Sequence, residues 1–348
     1  MYNGNIFIKN IYYMLSYAFK SLRQSNFAEI KSEEFDNVAD LLAEILAIGV
    51  GQQIKQGLYR EYIIADNDMP TLKGKLDINN TILNSIQRKK ILSCSYDELS
   101  EDNLMNQIIK TTLLLMMKSN DVKKERRQKI KILLPYLDSV DTINPKSIDW
   151  KHLNFQRNNN CYRMMIYMCW FLINSMLLTT EAGRYKIASF VDDNSMPLLY
   201  ERFVLEYYRY HHPELTPNPS YVEWNLNDGF KGKLPDMKTD ITLTNHDKTL
   251  IIDTKYYSHA MVTSYYSDKQ KLRSQHLYQI FAYVKNKDKE STGNVSGVLL
   301  YAKTDEDVSP NEEYLMSGNK ISTCTLDLNT PFENIANQLE NILISNLI

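Results

Sequence analysis

The chain has few cysteines, almost no excess charge and no long apolar run. Its four cysteines among 348 residues form no Cys-x-x-Cys pair, so neither a zinc site nor a disulfide framework is predicted, and a reducing compartment is favoured. The formal net charge of −2 argues against strong unaided binding to nucleic acid. A local basic groove would still suffice for a specific interaction.

Membrane and nucleotide-binding signals are also lacking. The N-terminus has no basic segment followed by an apolar core, so no signal peptide is predicted. The longest apolar run, 164–178, is interrupted by Asn174 and is shorter than a bilayer span. The Gly-rich segment 229–233 has the wrong spacing for a phosphate-binding loop and lacks a Ser or Thr after its lysine. We therefore expect a cytoplasmic protein without a membrane partner.

What the chain does contain is enough apolar sequence for a large core. Hydrophobic residues make up 43% of it, and the length suits two or three domains. Apolar periodicity predicts helices at 10–22, 36–46, 103–117, 119–134, 161–179, 195–211, 274–285 and 331–347. Strands are predicted within 57–77 and at 241–244, 250–255, 295–302 and 321–328.

A polar connector divides these elements. Residues 135–155 include Pro145 and few periodic apolar side chains, so a domain boundary is predicted near residue 155. The expected class is α+β or mixed α/β: an N-terminal α+β domain over 1–155 and an α/β core over 156–348. The order helix, strands, helix, strand in the second half is typical of a nuclease core.

Acidic and basic residues stand at the ends of two predicted strands. Asp240 comes directly before one strand, and Asp253 and Lys255 end the next, after Leu250-Ile251-Ile252. Side chains alternate along a strand, so Asp253 and Lys255 share a face, and the 12 residues between the aspartates suit a hairpin. Two carboxylates for Mg²⁺ and a lysine to orient water are what phosphodiester hydrolysis requires.

The same residue types have simpler explanations. An acid two residues before a lysine occurs five times here, at 29, 121, 149, 236 and 253, and four of these are expected to be surface charges. Asp253 differs because a buried strand precedes it, although a structural salt bridge to Lys255 would satisfy the same pattern. Asp236 is a rival first acid, but Asp240 leads more directly into a strand.

Two further patterns favour a nuclease. Gln279 and Tyr283 lie four residues apart on a predicted helix and so share a face. Their position after Asp-x-Lys resembles the motif of the RecB-like branch of the PD-(D/E)xK nucleases. The segment around Glu201 resembles the first helix of that superfamily, whose glutamate can complete the metal site; nearby Glu206 is an alternative. Incidental core and surface residues would explain each of these patterns alone.

Taken together, the motifs resemble the McrC family, the nuclease subunits of McrBC restriction systems that attack DNA containing methylated cytosine. The resemblance covers nearly the whole chain. Its N-terminal blocks make the assignment specific, because Asp-x-Lys is generic to many nucleases. The blocks that carry the resemblance are 9–18, 73–77, 97–102, 106–110, 253–257 and 275–279.

The resemblance implies a restriction-endonuclease-like core in which Asp240, Asp253 and Lys255 are catalytic. Mg²⁺ would be held by the two aspartates and the Thr254 backbone carbonyl, with Glu201 as a further ligand. Residues 1–155 would dock onto a McrB-like hexameric AAA+ GTPase and stimulate it. GTP would bind to that partner, and the substrate would be double-stranded DNA with modified cytosine.

Two other functions remain open from the sequence. A stand-alone RecB-like repair nuclease would cut DNA without any GTPase. A non-enzymatic adaptor of an AAA+ complex would use the Asp–Lys pair only for structure, and divalent metal would then leave its stability unchanged.

Overall fold

The computed structural model describes residues 8–19, 22, 35, 37–150, 153, 155, 160–178, 195–226, 232–257, 261–264, 267–303 and 309–347. Its helices are α1 (Ile8–Ala18), α2 (Val38–Gln56), α3 (Ile78–Ile86), α4 (Leu104–Lys118), α5 (Lys124–Leu133), α6 (Asn160–Leu178), α7 (Ser195–His211), α8 (Ser274–Lys287) and α9 (Phe332–Asn346). None of these helices is both long enough and apolar enough to cross a bilayer.

The strands fall into four sheets among the described residues. They are β1 (Glu61–Met69), β2 (Lys75–Leu76), β3 (Leu92–Ser100), β4 (Tyr221–Val222), β5 (Met237–Lys238), β6 (Ile241–Asn245), β7 (Lys248–Lys255), β8 (Met261–Ser264), β9 (Ser267–Leu272), β10 (Val295–Ala302), β11 (Glu313–Met316) and β12 (Asn319–Leu326). The mixed α/β class predicted from the sequence is confirmed.

The chain forms two compact units. One contains residues 1–41 and 187–348, and the other contains residues 42–186. We call the first the nuclease-core unit, after the function that the sequence predicts for it, and the second the central unit. This grouping differs from the predicted boundary near residue 155, because α1 packs against α7 and α6 packs against α4. The functional division into a docking part and a cutting part stays a prediction.

A five-stranded mixed sheet organises the nuclease-core unit. Its strand order is β11-β12-β10-β7-β6, with β10 parallel to both β7 and β12 and with antiparallel strands at the two edges. The central strands are buried on both faces and therefore read as apolar runs, such as Leu250-Ile251-Ile252.

Helix α8 covers one face of this sheet through a close approach to β10. At Gly297, a β-carbon would lie 2.7 Å from side-chain carbons of both Ile280 and Val284 on α8. The glycine thus lets the helix backbone approach the strand more closely than another residue would allow. This close packing therefore fixes the distance between α8 and the strand ends that carry the charged residues.

Helix α1 belongs to the nuclease-core unit although it lies at the N-terminus. The Asn10 side-chain amide donates to the backbone carbonyls of Leu328 and Thr330, both at 2.8 Å. The Tyr17 hydroxyl lies 2.8 Å from the His211 ring nitrogen at the end of α7. Residues 1–155 are therefore not one structural body.

The central unit combines a helical core with a small antiparallel sheet of order β1-β3-β2. Tyr162 of α6 donates to the Asn106 side-chain oxygen of α4 at 2.9 Å, and the Asn106 amide donates to the Tyr59 carbonyl at 2.9 Å. A buried ion pair joins Arg126 to Glu44 at 3.0 Å. Tyrosine and asparagine side chains thus hydrogen-bond to each other inside this unit, and its buried carboxylate lies next to a cation.

Most predicted elements are confirmed, several with shifted ends. The prediction 195–211 matches α7, and 295–302 matches β10, while the helix predicted at 36–46 extends to Gln56. The helix predicted at 119–134 begins only at Lys124. Among the described helices and strands, the sequence analysis gave no range for α3, β3, β4, β5, β8, β9 and β11.

Candidate active site

The two predicted aspartates meet because β6 and β7 form the expected hairpin. The strands are antiparallel, and Ile241 lies opposite Ile252. Asp240 directly precedes Ile241, and Asp253 directly follows Ile252. The two aspartates therefore lie next to each other at the same end of the hairpin strands. The hairpin prediction is confirmed, and it brings the two carboxylates to one place.

Asp240 is fixed by the strand that follows it. Its Oδ2 atom accepts hydrogen bonds from the Thr254 backbone N–H at 2.7 Å and from the Thr254 hydroxyl at 2.8 Å. In a strand, the N–H and C=O of one residue point to the same side. The Thr254 carbonyl therefore points to the same side of β7 as its N–H, which is the side on which Asp240 lies. The rival Asp236 is exposed and precedes the short strand β5.

Asp253 and Lys255 form a buried ion pair on β7. The two side chains are 1% and 10% exposed, and Lys255 Nζ lies 2.5 Å from Asp253 Oδ2. Neither Asp253 oxygen receives a well-aligned hydrogen bond from the described residues. Burial raises the pKa of Asp253 to about 6, with a smaller contribution from Asp240 and against the opposing effect of Lys255.

A polar chain extends from Lys255 into α8. Lys255 Nζ donates to Gln279 Oε1 at 3.0 Å, and Gln279 Nε2 donates to the Tyr283 hydroxyl at 2.9 Å. Because an ammonium can only donate, the amide oxygen must face Lys255, and Tyr283 supports that orientation. The structure thus brings the predicted pair Gln279 and Tyr283 to the predicted lysine.

Glu201 of α7 also faces the aspartates. Burial and the nearby charges of Asp240 and Asp253 raise its pKa to about 7, against the opposing effect of Lys238 and Lys255. Glu206 instead pairs with Arg209, one turn along the same helix, at 2.7 Å. The geometry therefore groups Glu201, and not Glu206, with the two aspartates.

The charge balance suits a divalent cation. Among the described residues, the three carboxylates of Glu201, Asp240 and Asp253 meet two cations, Lys255 and the exposed Lys238, so acidic groups are in excess. In the described residues, no three His, Cys, Asp or Glu side chains converge as a complete metal cluster. Mg²⁺ does not require one, because it commonly takes one or two carboxylates and completes its shell with water and phosphate.

Sequence reasoning did not identify the groups behind Lys255. The His276 ring nitrogen Nδ1 lies 3.0 Å from the Tyr301 hydroxyl, and both residues are buried. Tyr257 stacks on His276 with ring centroids 5.0 Å apart. One signal was available: His276 precedes Gln279 by three residues, so the two share a helix face. Tyr301 had no such signal, because only the sheet register places it opposite Lys255.

Comparisons with known proteins cover nearly the whole chain. The model of the family described as "McrBC 5-methylcytosine restriction system component" matches residues 6–302. The chain is 30% identical over 340 residues to the "Type IV methyl-directed restriction enzyme EcoKMcrBC" of Escherichia coli (strain K12), covering 96% of both sequences.

A solved structure has a similar fold. It is described as a "refined half-complex from tetradecameric assembly of Thermococcus gammatolerans McrB AAA+ hexamers with bound McrC". The match has a TM-score of 0.53 and 18% identity, and it covers 96% of this chain and 76% of that one. At this identity the likeness concerns the fold alone.

Proposed function

The chain belongs to the McrBC 5-methylcytosine restriction system component family, and from that membership we propose that it is the DNA-cutting subunit of a GTP-driven restriction complex. Membership confirms the resemblance that the motifs indicate. The observation that carries the proposal is the strand-end group of Asp240, Asp253 and Lys255. We assign the site to the PD-(D/E)xK type and its substrate to duplex DNA with modified cytosine.

The proposed cofactor is Mg²⁺, held by Asp240, Asp253 and the Thr254 carbonyl, with Glu201 beside them. When bound, it would supply positive charge to polarise a phosphate oxygen and to lower the pKa of a bound water. What supports this set is the buried Asp253 carboxylate, whose Oδ1 receives no hydrogen bond from the described residues, and the acidic groups around it. Lys255 pairs with Oδ2, so a metal cation would supply the partner that Oδ1 lacks.

Lys255 is the proposed catalytic cation. Its ammonium has three donors, of which Asp253 and Gln279 engage two. The third donor is available to a water molecule or a phosphate oxygen at the sheet edge. There the lysine would orient the attacking water and offset the negative charge that develops on the phosphate. Gln279 and Tyr283 would keep the ammonium in that direction.

We further propose that the central unit carries the contact with a McrB-like hexameric AAA+ GTPase. Apolar side chains that are usually buried are exposed there, on α3 and β1. They are Tyr62, Ile64, Ile78, Ile82, Leu83 and Ile86. Exposed apolar clusters of this kind typically mark protein interfaces. GTP would bind to the partner, whose hydrolysis this chain would stimulate.

Reconstitution tests the function. The chain is mixed with the AAA+ GTPase from the same source, GTP and Mg²⁺, and cleavage of methylated duplex DNA is compared with that of an unmethylated duplex. We expect cutting only when the partner, GTP and methylation are all present. Cutting by the chain alone would instead identify a stand-alone nuclease. No cutting, together with melting that Mg²⁺ does not change, would identify an adaptor.

A further inference from the structure

Lys255 needs a rigid support, because a long flexible side chain loses much freedom when it is held in one direction. Its support is Gln279, and Gln279 projects from the second turn of α8. The position of that helix over β7 therefore decides whether the amide oxygen reaches the ammonium.

His276 joins α8 to both strands that end beside the site. Its Nδ1 atom is 3.0 Å from the Tyr301 hydroxyl on β10. Its ring stacks on Tyr257, two residues after Lys255, at 5.0 Å and 27° between planes. Tyr301 lies directly opposite Lys255 in the register of β7 and β10. The His276 ring thus contacts Tyr301, which lies opposite the lysine on β10, and Tyr257, which follows the end of β7.

The environment keeps this link uncharged. Burial, together with the positive charges of Lys255 and Arg273, lowers the pKa of His276 to about 4. Burial, with a further effect of Asp253, raises the pKa of Tyr301 well above its ordinary value. A neutral imidazole and a neutral phenol bridge α8 to β10 without repelling the ammonium nearby.

We propose that His276 and Tyr301 are positioning residues, which fix the first turn of α8 across the ends of β7 and β10 so that Gln279 holds the Lys255 ammonium. The inference rests on the proposed function and extends it to residues that act through Gln279. Neither residue needs to touch DNA or metal. Their loss should affect the chemical step rather than substrate binding.

The test measures kcat and the KM for DNA in the assembled complex with its GTPase partner, on a duplex that carries 5-methylcytosine. Tyr301→Phe removes only the hydroxyl. We expect kcat to fall about tenfold, since small displacements of catalytic groups have effects of this order or larger. The KM should change by less than twofold. Tyr314→Phe, on the edge strand β11, is the matched control.

A conservative exchange separates positioning from filling of space. His276→Asn keeps a polar atom near the place of Nδ1, whereas His276→Leu removes it. We expect the asparagine variant to retain several times the kcat of the leucine variant. Melting temperature and stimulation of the partner GTPase report whether each variant is folded. Equal loss in both folded variants would overturn the role of the hydrogen bond.

A double-variant experiment tests whether His276 and Tyr301 act through Gln279. If His276 and Tyr301 act through Gln279, Tyr301→Phe should cause no further loss in a Gln279→Ala background. Losses that multiply, or full activity of Tyr301→Phe, would overturn this inference while the proposed function stands. A wild-type complex that cuts no DNA would overturn both.

Discussion

Buried charges in the two compact units have different surroundings. In the central unit, the Glu44 carboxylate contacts two cations, Arg126 at 3.0 Å and Lys129 at 2.5 Å. In the nuclease-core unit, the one salt bridge that Asp253 makes within the described residues is to Lys255, and Asp240 and Glu201 add negative charge nearby. Burial of charge alone therefore does not indicate a catalytic site. An excess of buried negative charge does, because a divalent cation is what would balance it.

The two units also differ in how their exposed apolar residues are arranged. The nuclease-core unit exposes scattered apolar side chains such as Leu315, while α3 of the central unit exposes a whole row at Ile78, Ile82 and Ile86. These three residues are four apart and therefore lie along one face of the helix. We infer that the nuclease-core unit buries charged residues because they serve catalysis. The central unit exposes apolar residues because they serve docking.

The largest predicted effect comes from removing the buried ammonium. Lys255→Ala should lower the rate of DNA cleavage by roughly 10²- to 10³-fold, as removal of a preorganised charge-stabilising donor does in other enzymes. Single-turnover cleavage by the reconstituted complex measures it. Lys248→Ala is the matched control, because Lys248 is an exposed lysine at the other end of the same strand. Equal cleavage rates for Lys255→Ala and Lys248→Ala would mean that the buried lysine matters no more for cleavage than the exposed one.

The second prediction concerns the apolar row on α3. Ile82→Ser with Ile86→Ser should weaken association with the GTPase partner by about a hundredfold, at about 1.4 kcal/mol for each isoleucine that the interface buries. Binding is measured by titration of the labelled chain with the partner. Leu315→Ser is the control, since Leu315 is 80% exposed on β11. Undiminished association of the double variant would place the interface elsewhere.

The third prediction is a metal-dependent pH profile of stability. In the folded chain, the pKa values of Asp253 and Glu201 are raised to about 6 and about 7, so these groups hold protons that the unfolded chain has released. Without metal, stability should therefore fall as pH rises through about 4 to 7. Mg²⁺ at ten times its Kd should restore about 1.4 kcal/mol above that range.

Thermal melting with and without Mg²⁺ measures this profile. Asp253→Asn should make it shallower and reduce the gain from Mg²⁺, because one of the two titrating carboxylates is gone. A wild-type profile that is already flat, with no response to Mg²⁺, would mean that the acidic group is structural.

The smallest predicted effect concerns α1, which sequence reasoning assigns to the docking half. Asn10→Ala removes donors to two backbone carbonyls and should destabilise the nuclease-core unit by about 1 kcal/mol. Partner association should be unchanged. Asn334→Ala, which loses an exposed hydrogen bond to Thr330, is the control. A loss of partner binding with unchanged melting would instead return α1 to the docking surface.

Local pattern was enough to predict the centre of the proposed site. The run Leu250-Ile251-Ile252 indicated a buried strand, and alternation then put Asp253 and Lys255 on one face. The four-residue spacing of Gln279 and Tyr283 likewise required only helix geometry. These features depend on neighbours in the sequence, and the structure agrees with them.

Other features depend on distant contacts. Choosing between Glu201 and Glu206 requires knowing which side of α7 faces the strand ends, and Glu206 is turned to Arg209. The pairing of His276 with Tyr301 requires the register of β10 against β7. Strand β3 was not predicted because its segment 97–100 is polar and largely exposed, so it lacks the apolar alternation of a half-buried strand.

The most direct measurement of the central claim is a paired assay of Asp253→Asn in the reconstituted complex, with cleavage of methylated DNA and GTP hydrolysis recorded in the same sample. The account predicts that cleavage falls as far as it does in Lys255→Ala while the partner's stimulated GTPase rate stays at the wild-type level. Cleavage at the wild-type rate by this variant would contradict the account.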